Sequence, residues 1–424
     1  MARGRQIARA VEGSSVFSKG ITGFVLLDAQ TGRKIADVYG NRYFTPASNV
    51  KILTLAASLS LLPDTLPTLQ IRPWEGPFTQ GQSRLLIRGT GDPTFLHPRF
   101  EAWQRPFYFL RQQPGPIWLY RPSEQIQRFG PGWAWDDYEM DFQAERGFLP
   151  LYGHLIRVYQ YPSEYLEVYP AYFRDSCSID KNVSALTRRE RENCWKLPML
   201  PTGSQPKTFW IPFIPWALPQ LLADTLGKRV EWLPDSLRPH VPPDGWQTLY
   251  GAPIDTILRR LMHQSDNFIA EQLLLMCARQ RFGVFRIDTL IEWLLDSLWT
   301  QLPQRPRWVD GSGLSRYNLA SPQTIVHLLR QLWHEQPRQR LFNLFPAGGR
   351  DGTLARWYAP EPGEPPWVFA KTGTLSGVHC LSGYLVARSG RVLIFSFMHT
   401  NFIGSNEPWK REMERLLRAI RQRF

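Results

Sequence analysis

Ser48 and Lys51 are side chains whose types and spacing could together activate a nucleophile. They follow Pro46, and the apolar residues that continue to Leu62 predict a short extended segment, a proline turn and then a helix. Residues three apart on a helix lie on the same face, so the hydroxyl and the amine would be within hydrogen-bonding reach. A neutral lysine could then take the serine proton, close to free backbone N–H groups that favour developing negative charge.

The Ser-x-x-Lys spacing alone is a weak signal, because it occurs twice more, at Ser178/Lys181 and at Ser204/Lys207. Those two copies lie in polar, irregular sequence. Ser48 differs from them because a long apolar stretch follows it, which is typical of a buried helix. Further motifs are therefore needed before the pair can be interpreted.

Two such motifs, Ser265-Asp-Asn267 and Lys371-Thr-Gly373, each occur once, the first between predicted helices and the second on a predicted strand. In chain order after Ser48, they complete a set that is similar to that of class A β-lactamases and penicillin-binding proteins. Five further segments narrow the resemblance: residues 89–93, 132–137, 310–315, 345–354 and 371–377. With them the chain resembles, over about residues 22–402, the low-molecular-mass class C penicillin-binding proteins, the D-alanyl-D-alanine carboxypeptidase/endopeptidase family.

The resemblance implies an α+β fold, the penicillin-binding-protein/β-lactamase-like transpeptidase fold. An antiparallel sheet flanked by helices is expected, with a large β-rich insertion between the first two motifs. A chain of 424 residues is too long for one ordinary domain, so two or three domains are expected. From about residue 69 to about residue 247 the composition changes to short β-like runs with many aromatic residues. We predict a catalytic domain from residues 1–70 and 248–424, and an inserted, aromatic-rich, mainly β region from residues 71–247.

Both ends of the chain contribute predicted elements to the catalytic domain. A hairpin is predicted over residues 23–39 and three strands over residues 367–398. The last segment, residues 406–424, is predicted as a helix whose apolar face packs on the terminal sheet rather than on a membrane. Within the insertion, the charged segment from residue 176 to residue 207 is predicted to form loops.

The residue types at the three motifs suggest a mechanism through an acyl-enzyme. Ser48 would attack a peptide carbonyl after Lys51 has accepted its proton. Burial lowers the pKa of a lysine, and we expect the Lys371 cation to lower the pKa of Lys51 further. Ser265 would relay the proton to the leaving amine, and Asn267 would bind both Lys51 and the substrate amide.

The resemblance also implies residues that bind the substrate. The backbone N–H groups of Ser48 and Thr374 would hold the oxyanion. The hydroxyls of Thr372 and Thr374, with the charge of Lys371, suit the terminal carboxylate of D-alanine, and Gly373 belongs to the same motif. No cofactor is implied. A metal site is not expected either, because the four cysteines have no C-x-x-C spacing and no histidine cluster accompanies them.

The overall composition indicates the charge of the partners but does not identify them. Hydrophobic residues make up 43% of the chain, which indicates a folded protein, and the formal charge is +13. A basic surface favours anionic partners such as a cell-wall polymer or a lipid surface, and no nucleic-acid-binding motif is present. Cys177 and Cys194 lie in one polar region, where an oxidising compartment would allow a disulfide between them.

The N-terminal segment begins with basic residues, but no apolar stretch of about 7–15 residues follows, so it does not read as a signal peptide. The longest apolar run, residues 52–62, is too short to cross a bilayer, so we expect a soluble chain with at most peripheral membrane contact. The resemblance implies location in the periplasm or cell envelope, with peptidoglycan peptides as substrates and β-lactam antibiotics as inhibitors.

These observations predict a serine-type D-Ala-D-Ala carboxypeptidase, with endopeptidase action on peptidoglycan cross-links as a further activity. One alternative is a β-lactamase or an esterase on the same scaffold, which would differ in the fate of the acyl-enzyme. The other is a catalytically idle cell-wall-binding homologue, although every side chain of the three motifs is present. Rapid turnover of penicillin, a long-lived adduct or no adduct would distinguish the three.

Overall fold

A computed structural model describes residues 2–74 and 84–424 of the chain. Residues 75–83, which belong to the predicted insertion, lie outside the described residues. The α-helices of the described part are α1 (Ala2–Glu12), α2 (Lys51–Leu61), α3 (Arg105–Gln112), α4 (Leu218–Leu226), α5 (Ile254–His263), α6 (Asn267–Phe282), α7 (Ile287–Trp293), α8 (Pro322–Glu335), α9 (Arg338–Leu344) and α10 (Glu407–Arg423).

The strands fall into two groups, one at the ends of the chain and one in its middle. In chain order they are β1 (Ile21–Asp28), β2 (Lys34–Val38), β3 (Thr65–Trp74), β4 (Arg84–Gly89), β5 (Ile117–Leu119), β6 (Leu155–Gln160), β7 (Leu166–Tyr169), β8 (Cys177–Asp180), β9 (Thr187–Arg188), β10 (Trp195–Pro198), β11 (Lys207–Pro212), β12 (Val230–Trp232), β13 (Gln247–Pro253), β14 (Val368–Leu375), β15 (Val378–Val386) and β16 (Val392–Thr400).

The sheet that carries the site joins both ends of the chain, in the order β14-β15-β16-β1-β2, with antiparallel pairing throughout. Helices cover both of its faces, so its strands are apolar on both sides. Leu27 packs with α2, α6 and α8 on one face, and its neighbour Leu26 packs with α1 and α10 on the other. The α+β fold with a helix-flanked antiparallel sheet, predicted from the sequence, is confirmed.

The terminal helix α10 packs on this sheet as its apolar periodicity predicts. Met413, Leu416, Leu417 and Ile420 are buried in one cluster with strand residues that include Phe397. Side chains four residues apart lie on one face of a helix, so these four form a single apolar stripe. None of the described helices is both long enough and apolar enough to span a bilayer.

The middle of the chain forms three further sheets, one of five strands in the order β12-β5-β4-β3-β13 and two of three strands, β11-β6-β7 and β8-β10-β9. The strands that lead into and out of this region, β3 and β13, pair with each other, with Leu69 opposite Leu249. The division into domains at residues 70 and 248 stays a prediction.

The prediction of loops over residues 176–207 is wrong, because β8, β9 and β10 form a small sheet there. Two of its few apolar residues, Trp195 and Leu197 on β10, are 0% exposed. A four-residue strand with alternating burial is too short for a periodicity count to detect among charged neighbours. Cys177 and Cys194 are both free thiols in the structure, so the suggested disulfide is not formed.

Candidate active site

Ser48 lies in a single 3₁₀ turn, residues Ala47–Val50, directly before α2. The sequence predicts that Ser48 is already helical, whereas the α-helix begins at Lys51. Ala47 has φ of +47°, a left-handed conformation that a non-glycine residue rarely adopts and that costs about 1–3 kcal/mol. This strained turn directs the hydroxyl of Ser48 toward Lys51, and the two polar atoms are 3.0 Å apart.

Lys51 is fully buried and donates to three oxygens. Its Nζ is 3.0 Å from Ser48 Oγ and 2.7 Å from Asn267 Oδ1. The third acceptor is the backbone carbonyl of Ser312, at 2.5 Å. Burial lowers the pKa of Lys51 from 10.5 to about 8, because removal from water disfavours the charged form.

Lys371, on the edge strand β14, is the second buried amine of the site. Its Nζ donates to Ser265 Oγ at 2.9 Å and to the carbonyl of Thr372 at 2.7 Å. Burial, and next the repulsion from Lys51, hold the pKa of Lys371 well below its usual value. The structure thus forms two hydrogen-bonded groups, Lys51 with Ser48 and Asn267, and Lys371 with Ser265. Repulsion between the two amines couples these groups.

The charges around Lys51 differ from the sequence expectation. We expected the Lys371 cation to depress the pKa of Lys51, but the repulsion between them depresses the pKa of Lys371. At Lys51 the lowering comes from burial, and three carboxylates oppose it by favouring the ammonium form. Those carboxylates are Asp310, Glu271 and Asp266, in decreasing order of effect.

The loop between α5 and α6 presents Ser265 and Asn267 on either side of a helix cap. The Asp266 carboxylate accepts from the backbone N–H of Ile269 at 3.1 Å, which caps α6 and starts the helix at Asn267. Ser265, just before the cap, has φ of +57°, so its hydroxyl leaves the helix direction and reaches Lys371. Asn267 donates its amide hydrogen to the carbonyl of Phe142 at 3.1 Å.

The strand β14 approaches the Ser48 turn so closely that only glycine fits at position 373. A Cβ there would lie 2.6 Å from the carbonyl oxygen of Pro46 and 3.0 Å from the backbone nitrogen of Ser48. The side chain of Asn49 ties the same turn to the strand, donating to the carbonyl of Lys371 at 3.0 Å. Gly373 therefore sets the distance between the nucleophile and the Lys-Thr-Gly strand.

The two threonines of this strand have different surroundings. Thr372 donates its hydroxyl to Thr353 Oγ1 at 2.9 Å. Thr374 is exposed, and its hydroxyl lies 2.9 Å from Nδ1 of His379 on the neighbouring strand. The sequence suggests no role for that histidine. Burial lowers the pKa of His379 to about 3, so a neutral imidazole orients Thr374.

The segment from Asp310 to Gly313, one of those that carry the family resemblance in the sequence, forms the wall behind Lys51. The Asp310 carboxylate accepts from the backbone N–H groups of Gly313 at 2.9 Å and Ser315 at 2.8 Å. The resulting turn points the carbonyl of Ser312 at Lys51. Gly313 has φ of +82°, and a Cβ there would lie 2.0 Å from the carbonyl oxygen of Ala47.

A buried ion pair supports that wall from the other side. Glu271, one helical turn after Asn267 on α6, accepts from the backbone N–H of Ser312 at 2.7 Å. Its other carboxylate oxygen lies 2.5 Å from Nη2 of Arg146, and both side chains are buried. Sequence reasoning missed Glu271 and Arg146. The available signal was an acid four residues after Asn267 on an apolar helix, where a charge requires a partner.

Comparison with known proteins identifies the family. The D-Ala-D-Ala carboxypeptidase 3 (S13) family matches residues 5–147 and 222–421. The chain belongs to this family. The S13 match includes every residue of the site described above, and it omits residues 148–221, which contain β6 to β11.

The similarity to known proteins covers nearly the whole length of the chain. It is 26% identical to the D-alanyl-D-alanine carboxypeptidase DacB of Haemophilus influenzae, over 93% of this chain and 88% of that protein. The crystal structure of penicillin binding protein 4 (dacB) from the same organism is similar, with a TM-score of 0.76 and 21% identity, covering 98% of this chain and 99% of that one. A second structure of that protein, in complex with a β-lactam, has a TM-score of 0.66 and 20% identity over 98% of both chains. The similarity confirms the predicted penicillin-binding-protein-like fold.

Within residues 2–74 and 84–424, no three His, Cys, Asp or Glu side chains are grouped as metal ligands would be. Two carboxylates close to the catalytic residues form ion pairs with arginines. Glu271 pairs with Arg146, and Asp266 pairs with Arg260 at 2.9 Å.

Proposed function

We propose that this chain is a serine-type D-Ala-D-Ala carboxypeptidase that cleaves peptidoglycan stem peptides through an acyl-enzyme on Ser48, and that it also acts as an endopeptidase on cross-links. The observation that carries the proposal is the contact of Ser48 Oγ with a buried lysine of lowered pKa, at 3.0 Å. A nucleophilic serine needs such an adjacent base, because a free hydroxyl is a weak nucleophile at neutral pH.

Acylation follows from this contact. Neutral Lys51 accepts the hydroxyl proton while Ser48 Oγ bonds to the carbonyl carbon of the scissile peptide. The proton then passes through Ser265, which Lys371 holds at 2.9 Å, to the leaving amine as the C–N bond breaks. Water attacks the ester carbonyl in the second half of the reaction, Ser48 regains its proton, and the shortened peptide leaves.

The substrate is held by the strand and turn that face Ser48. We assign the oxyanion to the backbone N–H groups of Ser48 and Thr374, and removal of one such donor typically costs about 2.7–4 kcal/mol. Thr372 and Thr374 bind the C-terminal carboxylate of the substrate, with Lys371 beside them. The incoming carboxylate favours the ammonium form of Lys371, because a nearby opposite charge raises the pKa of an amine. Asn267 binds the substrate amide.

Inhibition by β-lactams follows from the same attack. A β-lactam carbonyl would acylate Ser48, and because the ring amine remains tethered, the adduct would be long-lived. The β-lactam complex of the Haemophilus influenzae protein supports this proposal. We further propose a location in the cell envelope, where peptidoglycan is found. The basic composition, with a formal charge of +13, suits an anionic wall polymer there.

The proposed activity is tested by release of D-alanine from a pentapeptide that ends in D-Ala-D-Ala. Wild-type protein should release it, and Ser48→Ala should lose at least about 1,000-fold in rate while keeping the melting temperature. Ser178→Ala is the matched control, because Ser178 heads another Ser-x-x-Lys segment. Rapid multiple turnover of benzylpenicillin without D-alanine release would instead support a β-lactamase, and neither reaction would support an idle wall-binding protein.

A further inference from the structure

The outward face of the sheet β11-β6-β7 is formed by large aromatic and charged side chains. Along β6 the burial alternates, with Ile156 and Val158 in the core and Arg157 on the opposite face. Trp210 on β11 and Tyr169 on β7 stand directly opposite Arg157 in the two flanking strands. Side chains at one register of neighbouring strands share a face, so these three form one row across the sheet.

Guanidinium groups lie over the rings of this row. Arg157 is 5.6 Å from the ring centre of Trp210 and 5.2 Å from that of Tyr169. Arg99 approaches the Trp210 ring as well, at 5.3 Å. Within the described part of the chain, neither arginine has a carboxylate within 4.0 Å, and the buried Nε of Arg157 has no hydrogen-bond partner. Within the described residues neither guanidinium group is therefore neutralised by an ion pair, so both can bind an anion.

This row lies along a groove that begins at the active site. A cavity of 280 Å³ is lined by Ser265 and Asn267 of the site and also by Arg99 and Trp210. A second cavity, of 540 Å³, shares Trp210 and three further lining residues with the first and extends to Arg157 and Tyr169. We call these two cavities together the Trp210 groove.

The lining of the Trp210 groove carries both signs of charge. Asp266 is paired with Arg260, and the other carboxylates of the lining are Asp141, Glu101 and Asp224. A neutral sugar would need open aromatic faces, but arginines already lie against the rings of Trp210 and Tyr169. A charged peptide satisfies such a surface better, because its carboxylates can accept bidentate hydrogen bonds from guanidinium groups.

We propose that the Trp210 groove binds the second stem peptide of a cross-linked peptidoglycan substrate, with carboxylates of that peptide on Arg99 and Arg157. Ser265 and Asn267 belong both to the site and to the lining of the groove, so an occupant of the groove would continue from the reacting peptide. In intact peptidoglycan the lactyl carboxyl groups of the glycan are amide-linked, so free carboxylates belong to the stem peptides. This inference rests on the proposed function and adds to it a preference for cross-linked substrates.

The test compares a cross-linked peptide dimer without sugars, a monomeric pentapeptide and benzylpenicillin. In the double variant Arg99→Gln/Arg157→Gln, kcat/KM for the dimer should fall about tenfold or more, since two charge-assisted hydrogen bonds are lost. The kcat/KM for the monomer and the rate of penicillin acylation should change less than about twofold. Arg281→Gln is the matched control, because Arg281 also lies over a tryptophan, Trp293, at 4.6 Å and outside the groove.

A binding measurement separates this inference from the proposed activity. Ser48→Ala protein should bind the dimer, and Arg99→Gln/Arg157→Gln in that background should weaken binding about tenfold by calorimetry. Equal binding with and without the two arginines would overturn the assignment of the groove to the second stem peptide and leave the proposed activity untouched. Loss of affinity for a peptide-free glycan fragment instead would also overturn it, by assigning the groove to sugar. Wild-type protein that cleaves neither the monomer nor the dimer would reject the proposed function itself.

Discussion

At the scale of single residues, the chemistry depends on the pKa of Lys51, which burial lowers and the surrounding carboxylates raise. Three acids favour its ammonium form, yet burial still brings its pKa down to about 8. At neutral pH most of the lysine is protonated and donates to its three oxygens. Only the neutral minority can accept the proton of Ser48, so acylation and the protonation of Lys51 are linked.

This linkage predicts the pH dependence of acylation. Below the pKa of Lys51 the amine holds its proton and cannot act as a base, so the rate should rise with pH and level off above about pH 8. The measurement is the rate of adduct formation with benzylpenicillin between about pH 6 and about pH 10. A rate independent of pH across that interval would mean that Lys51 is not the base.

The ion pair behind the site offers a second test of the same balance. The Glu271 carboxylate raises the pKa of Lys51, so Glu271→Gln should lower that pKa and move the rising limb of the acylation profile to lower pH. Glu335→Gln, at the exposed end of α8, is the control and should leave the limb in place. If the rising part of the acylation profile of Glu271→Gln protein stays in place or moves to higher pH, Glu271 does not raise the pKa of Lys51.

At the scale of elements, the close approach of β14 to the 3₁₀ turn fixes the geometry of attack. Gly373→Ala would place a Cβ 2.6 Å from the carbonyl oxygen of Pro46, so the turn and the strand must separate. We expect acylation by benzylpenicillin to slow about 100-fold, because a displacement near 1 Å can cost that much. The melting temperature should change little, since the strand pairing of β14 with β15 remains.

Ser389→Ala, in the turn that connects β15 to β16, is the control for Gly373→Ala and should acylate at the wild-type rate. Wild-type acylation by Gly373→Ala protein would show that the spacing between strand and turn does not control the nucleophile. A general loss of stability in that variant, seen as a lower melting temperature, would mean that the strand rather than the turn had moved.

The elements near the site show how much the sequence alone predicts. Hydrophobic periodicity predicted the hairpin β1-β2, the three terminal strands and the face of α10 that packs on them, because these patterns are long and regular. It missed β8 to β10, which are only two to four residues long. It also placed Ser48 in a helix, since the left-handed Ala47 has no signature in residue type.

The side chains of the site that belong to sequence motifs could be predicted. The backbone groups of the site, and the partners that lie outside the motifs, could not. Ser265 and Lys371 are 106 residues apart and meet at 2.9 Å. By contrast, the carbonyl of Ser312 could not be inferred, since every residue has one. Arg146 could not be paired with Glu271 either, because the contact joins residues 125 positions apart and neither lies in a motif.

At the scale of the whole molecule, we propose that residues 71–247 are an inserted region that reinforces the catalytic part of the chain. Arg146 lies in that region and pairs with Glu271 of α6, and Trp133 donates its indole N–H to Asp310 at 2.9 Å. Both contacts end on residues that hold the carbonyl of Ser312 toward Lys51. Through these two contacts the insertion would support catalysis by positioning Glu271 and Asp310, not by binding the substrate.

Arg146→Ala tests this coupling through stability. The variant leaves Glu271 as an unpaired buried charge, so we expect the free energy of unfolding to fall by about 3–5 kcal/mol, measured by urea denaturation. Arg286→Ala removes an exposed ion pair with Asp288 and should leave the denaturation midpoint close to that of wild type. Equal midpoints for the two variants would contradict a supporting role for Arg146.

The central claim, that Ser48 is the acylated nucleophile, is tested most directly by mapping the penicilloyl adduct. Wild-type protein is treated with benzylpenicillin, digested and analysed by mass spectrometry. We predict one adduct, on the peptide that contains Ser48, and none on Lys51→Ala protein. An adduct on Ser265, on Ser178 or on Ser204, or an adduct that persists on Ser48→Ala protein, would contradict the account.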